Sequence, residues 1–147
     1  MSHRDKMRRM MRVSDVDRGI SETIYREQEI QNVMKKIDAI VPGKVSKGVY
    51  QSPTGRKLKV ENLATGSKVF SIIKKILTSG DLTDKTLLIL DEPESHLHPS
   101  WINQLAEVIV LLVKECNMTV LLTTHSPNFL LAVDALMRKY EIREKCH

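Results

Sequence analysis

Aromatic side chains make up only 4% of the chain, and cysteine occurs twice, at Cys116 and Cys146. So few rings leave no ladder on which successive bases of a single nucleic-acid strand could stack. The two cysteines lie far apart with no Cys-x-x-Cys spacing, which gives neither a zinc site nor a disulfide framework. Apolar runs are short as well, and none approaches the roughly 18 residues of a membrane span. The first residues, Met1 to Lys6, lead into Arg8 and Arg9 without the apolar stretch of a secretory signal, so the expectation is a cytoplasmic protein with no membrane partner. What remains is a chain of 147 residues, 41% of them apolar, which is enough for a single core. Its 23 Lys and Arg against 18 Asp and Glu suit an anionic partner. Apart from Arg4, Lys6, Arg8, Arg9 and Arg12, however, the positive residues are scattered along the sequence, the pattern of a solvated surface.

Residues 1–43 read as an N-terminal helical segment. Ile30, Val33, Met34, Ile37 and Ile40 fall at helical spacing, with Ser21 suited to the N-cap and Pro42-Gly43 to the stop. Residues 1–20 show no sustained period and receive no function. Residues 44–62 read as a β-hairpin, in which alternation from Val45 to Tyr50 and from Lys57 to Val60 flanks a type I turn at Ser52-Pro53-Thr54-Gly55. The polar loop Glu61 to Lys68 then opens a helix whose expected apolar face is Val69, Ile72, Ile73 and Ile76, with Lys68, Lys74 and Lys75 on its wet side. Backbone N–H groups running into a helix start can bind an anion, and an ordinary Ser or Thr cap is the other reading.

Four large aliphatic residues, Leu87-Leu88-Ile89-Leu90, suit a strand buried on both faces, and the strand stops on Asp91 and Glu92. Pro99 starts a helix that is apolar nearly all round to Lys114, Asn117 marks a turn, and a second strand, Met118 to Thr123, stops on Thr124-His125-Ser126-Pro127. Strand, helix and strand make a βαβ unit with parallel strands, so both polar ends lie on one edge and Asp91, Glu92 and His125 can converge. A further helix is expected from Asn128 to Tyr140, with Leu130 and Leu131 among its apolar contacts, followed by a frayed charged tail, 141–147. Chemically, Asp91 suits a metal contact, Glu92 suits polarising water, and His125 can donate from one ring nitrogen while accepting at the other. His96 and His98 lack further ligands at zinc spacing, Glu94 reads as a solvent-facing loop acid, and Trp101 as an anchor of the first helical turn.

Three segments carry a resemblance. Leu87 to Glu92 resembles a Walker B strand with its adjacent catalytic glutamate, Thr123-Thr124-His125-Ser126-Pro127 a switch-histidine strand, and Leu63-Ala64-Thr65-Gly66-Ser67 sits where an ABC signature loop belongs. Together, over residues 58 to 138, they resemble the C-terminal half of an ABC-type ATPase head. The form Asp91-Glu92-Pro93-Glu94-Ser95-His96-Leu97-His98-Pro99 is closer to the soluble branch of RecF-like, SMC-like and OLD-family proteins than to transporters.

The resemblance implies an α/β fold: a partial P-loop NTPase sheet of ABC type with a βαβ unit, preceded by a helix and a β-hairpin, its ATPase half spanning residues 63–140. It implies ATP and Mg2+ as ligands, with Asp91 holding the metal, Glu92 as general base and His125 as switch. Thr65, Gly66 and Ser67 would face the γ-phosphate bound to a partner head, and Ser95, His96 and His98 would form the D-loop at a homodimeric head interface. Ala64 stands where the signature serine is usual, which passes the hydroxyl contact to Thr65 or Ser67. No Gly-x-x-x-x-Gly-Lys-Ser/Thr occurs in the 147 residues. The expectation is therefore a fragment or split subunit, inactive alone, that needs a Walker A-bearing lobe and is coupled to DNA or an effector nuclease. A non-catalytic interaction module retaining the same fold is the alternative.

Overall fold

The helical period after Ser21 forms a single helix, α1 (Ile20–Ile40), in a computed structural model that describes residues 20–145 apart from 81, 83 and 84. Val33 and Ile37 are fully buried on it, and Val41 follows them into the core. The reading of residues 1–20 and the thiol of Cys146 lie outside the described residues, apart from Ile20.

The expected hairpin is instead a three-stranded antiparallel meander of β1 (Lys44–Ser46), β2 (Val49–Gln51) and β3 (Lys57–Lys59). Lys47 and Gly48 both adopt positive φ, +49° and +76°, which makes a tight two-residue turn in the middle of what reads as one alternating strand. Alternation continues across such a turn, so the pattern alone hides it. The second turn is close to expectation. The Gly55 N–H donates to the Ser52 carbonyl at 2.9 Å, and Gly55 itself sits at φ +87°.

A short 3-10 turn, Val60–Asn62, leads into α2 (Thr65–Thr78). Its buried seam is Gly66, Phe70, Ile73 and Leu77, whereas Ile72 is 42% exposed. Two overlapping sets of apolar residues share the helical period here. The set containing Phe70 wins because that ring packs edge-on against Trp101, with centroids 5.9 Å apart. Lys74 is not on the wet side. It is only 3% exposed, its Nζ donates to the carbonyls of Val41 (3.1 Å) and Gly43 (2.5 Å), and it pairs with Asp38. A cation therefore closes the end of α1, where carbonyls lack helical partners.

β4 (Leu87–Asp91) and β5 (Thr119–Thr123) are parallel, in register from Leu87 opposite Thr119 to Asp91 opposite Thr123, and are joined through α3 (Pro99–Lys114). Leu88, Leu90, Val120 and Leu122 pack on the core that includes Leu105, Val108, Ile109 and Leu112 of α3. The other sheet face is open, with Ile89 and Leu121 each 55% exposed, so the strands are buried on one face and not two. Among the described residues neither strand has a neighbour on its far side.

α4 (Pro127–Lys139) buries Phe129 and Val133 but leaves Leu130 and Leu131 exposed, contrary to the expectation that they face the core. From Glu141 to Lys145 the chain is ordered and not frayed. Ile142 is buried, its N–H donates to the Met137 carbonyl at 3.0 Å, Glu141 takes the left-handed conformation of a helix end, and Arg143–Lys145 form a 3-10 turn.

Glu107 of α3 ties three elements together, accepting from Lys36 Nζ of α1 at 2.6 Å and from the Tyr140 hydroxyl at 2.6 Å. The Lys36 and Tyr140 hydrogen bonds hold its carboxyl below the usual range, and the same bond to Glu107 pushes the Tyr140 phenol up to about 12. The sign follows from linkage: the Glu107 contribution is fully present above the ordinary carboxylate range and is lost as pH falls through its lowered value. The urea midpoint of the native chain is thus expected to fall below about pH 5 more steeply than that of Glu107→Gln, by a contribution of about 0.5–1 kcal/mol. Identical slopes for the two proteins would refute it.

Candidate functional site

The in-register ends of β4 and β5 place Asp91 directly opposite Thr123. The Thr123 hydroxyl donates to Asp91 Oδ1 and accepts from the Glu92 N–H at 3.2 Å, while the Thr123 carbonyl accepts from the same N–H at 3.1 Å. Thr123 thereby fixes the Asp91 carboxylate and the backbone of Glu92, a role that its place in the second strand does not announce in the sequence. Glu92 leaves the strand at φ +43°, a left-handed conformation that non-glycine residues seldom hold.

That turn swings the Glu92 side chain across the strand ends. Its Oε1 lies 2.9 Å from His125 Nε2, and its Oε2 accepts from Ser95 Oγ at 3.3 Å. His125 is 91% exposed and the Glu92 side chain 40% exposed, so solvent reaches the pair directly. A carboxylate oriented by an imidazole and a hydroxyl, and open to water, has the geometry of a general base.

Glu94 does not face solvent as expected. It is 8% exposed, accepts from the Thr124 hydroxyl, and leaves Oε2 buried without a hydrogen-bond partner. Thr124 Oγ1 in turn accepts from the Ser126 N–H at 3.0 Å, and Ser126 Oγ caps α4 by accepting from the Phe129 N–H at 3.2 Å. His125 therefore projects from a loop fixed on one side by Glu94 and on the other by a helix cap. The sequence does not reveal Glu94's inward turn, because the segment after Glu92 is a series of tight turns with no strand period. Ser95 N–H bonds the Glu92 carbonyl, Leu97 N–H bonds the Glu94 carbonyl, and His96 sits at φ +65°.

His96 is exposed, and His98 serves as the N-cap of α3, its Nδ1 accepting from the Ser100 N–H at 3.3 Å and lying 2.7 Å from Ser100 Oγ. Gly66 and Ser67 lie in a second patch, where the start of α2 meets Leu97 and Trp101. The cap position of α2 is held by Ala64, which offers no hydroxyl, so the Ser or Thr cap reading is corrected; Thr65 is the first helical residue. A Cβ on Gly66 would come within 2.9 Å of the Trp101 ring and 3.0 Å of Leu97 Cδ2. Gly66→Ala is expected to destabilise the fold by about 1–2 kcal/mol, overpacking outweighing the gain in helix propensity. Because Trp101 is the single tryptophan, its emission reports the shift. An unchanged spectrum and urea midpoint would contradict this packing.

Among the described residues no three His, Cys, Asp or Glu side chains form a metal-holding group. The exposed Asp91 carboxylate, fixed by Thr123, fits Mg2+, which binds through one or two carboxylates together with substrate phosphates and not in an all-protein cage.

Over residues 10–132 the chain matches the protein family described as "AAA domain, putative AbiEii toxin, Type IV TA system". It is also similar to the thiamine import ATP-binding protein ThiQ of Brucella abortus, Brucella suis and Brucella melitensis, at 33% identity over 81 residues in each case. That alignment covers 55% of this chain and 32% of each ThiQ, so the match spans about a third of the length of these relatives. No solved structure matches. No described helix is long and apolar enough to cross a membrane.

Proposed function

Because this chain belongs to that AAA-domain family, within the wider class of P-loop ATPases, we propose that it supplies the hydrolytic half of an ATP site whose phosphate-cradling half comes from a Walker A-bearing lobe. The observation that carries the reading is the 2.9 Å contact between Glu92 and His125 across the ends of two parallel strands, beside the exposed Asp91. Glu92 takes the proton of the attacking water. His125 holds the carboxylate in position from the loop that follows the facing strand, and Ser95 holds its second oxygen. Asp91 would hold Mg2+, which would supply positive charge against the nucleotide phosphates.

The run Glu94 to Pro99 supports membership of the soluble RecF, SMC and OLD-like branch, with two heads pairing through Ser95, His96 and His98 and presenting Thr65 and Ser67 to the partner's nucleotide, whereas Gly66 is buried against Trp101 and Leu97 and serves the packing of α2 instead. In that reading the cycle acts on DNA or on an effector nuclease, in repair or in defence against phage, within the cytoplasm. The test is reconstitution. The 147-residue chain alone is expected to show no steady-state ATP hydrolysis, and adding a P-loop-bearing lobe is expected to restore it. Hydrolysis by the isolated chain would refute the division of labour, and a lobe that binds without gaining activity would make this a non-catalytic interaction module.

A further inference from the structure

The antiparallel meander turns one side to solvent. Lys44 and Ser46 of β1, Val49 and Gln51 of β2, and Lys57 and Lys59 of β3 are exposed, while Val45, Tyr50 and Leu58 are half-buried on the inner side. The register lines these outward residues up in two rows, Lys44 beside Gln51 beside Lys57, and Ser46 beside Val49 beside Lys59. Lys47 and Arg56, in the two turns, are exposed as well. Between Val41 and Val60 there are five cations and no acid, and the rest of the chain holds 18 residues of each sign. The whole formal excess of +5 is thus carried by this small sheet. Within this run the register turns Lys44, Lys57 and Lys59 to the same face, with Lys47 and Arg56 exposed in the turns at its ends.

The sheet's charge is also unquenched. The ion pairs among the described residues involve Lys36, Lys74, Lys114, His125, Arg138 and Arg143, all elsewhere. Of the nearest acids in sequence, Asp38 is taken by the buried Lys74, and Glu61 sits on the 3-10 turn after β3.

We propose that this sheet face is a docking surface for the sugar-phosphate backbone of double-stranded DNA. Alternate residues on a strand stand about 6.6 Å apart and neighbouring strands about 4.8 Å, so Lys44, Lys57 and Lys59 form a regular cationic grid with uncharged Ser46 and Gln51 between them as hydrogen-bonding groups. A duplex presents about one phosphate charge per 1.7 Å of its axis, a density that such a grid neutralises with release of counterions. The chemistry favours the duplex over a single strand. The sheet's one aromatic, Tyr50, is turned inward with its hydroxyl donating to the Pro42 carbonyl, so no ring is offered for an unpaired base to stack on. Contacts confined to the backbone make binding indifferent to base sequence.

This extends the nucleic-acid arm of the proposed function. The test contains neither nucleotide nor partner lobe, so its failure leaves the hydrolytic assignment standing. Fluorescence anisotropy of a labelled random-sequence duplex would be titrated with the full chain across a salt series. Engagement of all five cations gives a slope of log K on log salt of about −4.5. The triple variant Lys44→Glu, Lys57→Glu, Lys59→Glu is expected to bind on the order of a hundredfold more weakly at about 0.1 M salt, with a slope shallower by about 2.7. Circular dichroism and Trp101 emission check its fold, and Lys→Gln at the same positions serves if the charge reversal does not fold. A control with equal charge change, Lys35→Glu, Lys75→Glu, Lys145→Glu, is expected to keep wild-type affinity within a few-fold. An equal loss in the control, no duplex binding by the wild-type chain, or tighter binding of a single strand than of the duplex would each overturn the proposal.

Discussion

In a head completed by a P-loop-bearing lobe, Glu92→Gln is expected to lower kcat by about 10²–10⁴-fold while changing nucleotide affinity only a few-fold, the signature of a lost general base. Glutamine keeps the size and shape of the side chain, so the left-handed turn at residue 92 and the packing around it are undisturbed. Its amide oxygen can still accept from His125 Nε2, now 2.9 Å from the carboxylate, and only the partner of Ser95 changes character. What disappears is the capacity to take a proton. A fall in kcat at constant affinity separates this from a structural effect, which would move binding as well. Full activity in Glu92→Gln would remove Glu92 from the chemistry, and with it the reading of Asp91 and His125 as its neighbours in one site.

The second large effect concerns the fold. Phe70→Ala is expected to lose about 3–5 kcal/mol, a large fraction of the 5–15 kcal/mol typical of a domain's stability. Phe70 is fully buried and meets Trp101 edge to face, so its removal opens a cavity at the junction of α2 and α3. Ile72→Ala, two residues along, is expected to change stability by less than about 0.5 kcal/mol, since Ile72 is 42% exposed. Urea denaturation followed by Trp101 emission distinguishes the two. Comparable losses would restore the face that helical spacing alone suggests and refute the packing described for α2.

That contrast shows what was legible in the sequence and what was not. The βαβ unit and the convergence of Asp91, Glu92 and His125 could be read, because apolar runs that stop on polar residues mark strand ends and parallel strands bring those ends together. The resemblance to an ABC-type ATPase agrees with the family match. Which side of α2 is buried could not be read, since residues 69, 72, 73 and 76 obey the helical period as well as 66, 70, 73 and 77 do. Lys74 and Glu94 were misplaced for a shared reason. Each is a charged residue buried against specific partners, the carbonyls after α1 in one case and the Thr124 hydroxyl in the other, and such partners exist only after folding. The tight turn at Lys47-Gly48 was hidden by an alternation that runs straight through it.

The bare face of β4 and β5 bears on how the chain behaves before it meets anything. Strands with no strand neighbour on either outer side among the described residues, and with Ile89 and Leu121 on a dry-preferring surface, are a template on which another copy can add strand by strand. Self-association of the isolated chain is therefore expected to grow with its concentration, and charged replacements at Ile89 and Leu121 are expected to reduce it.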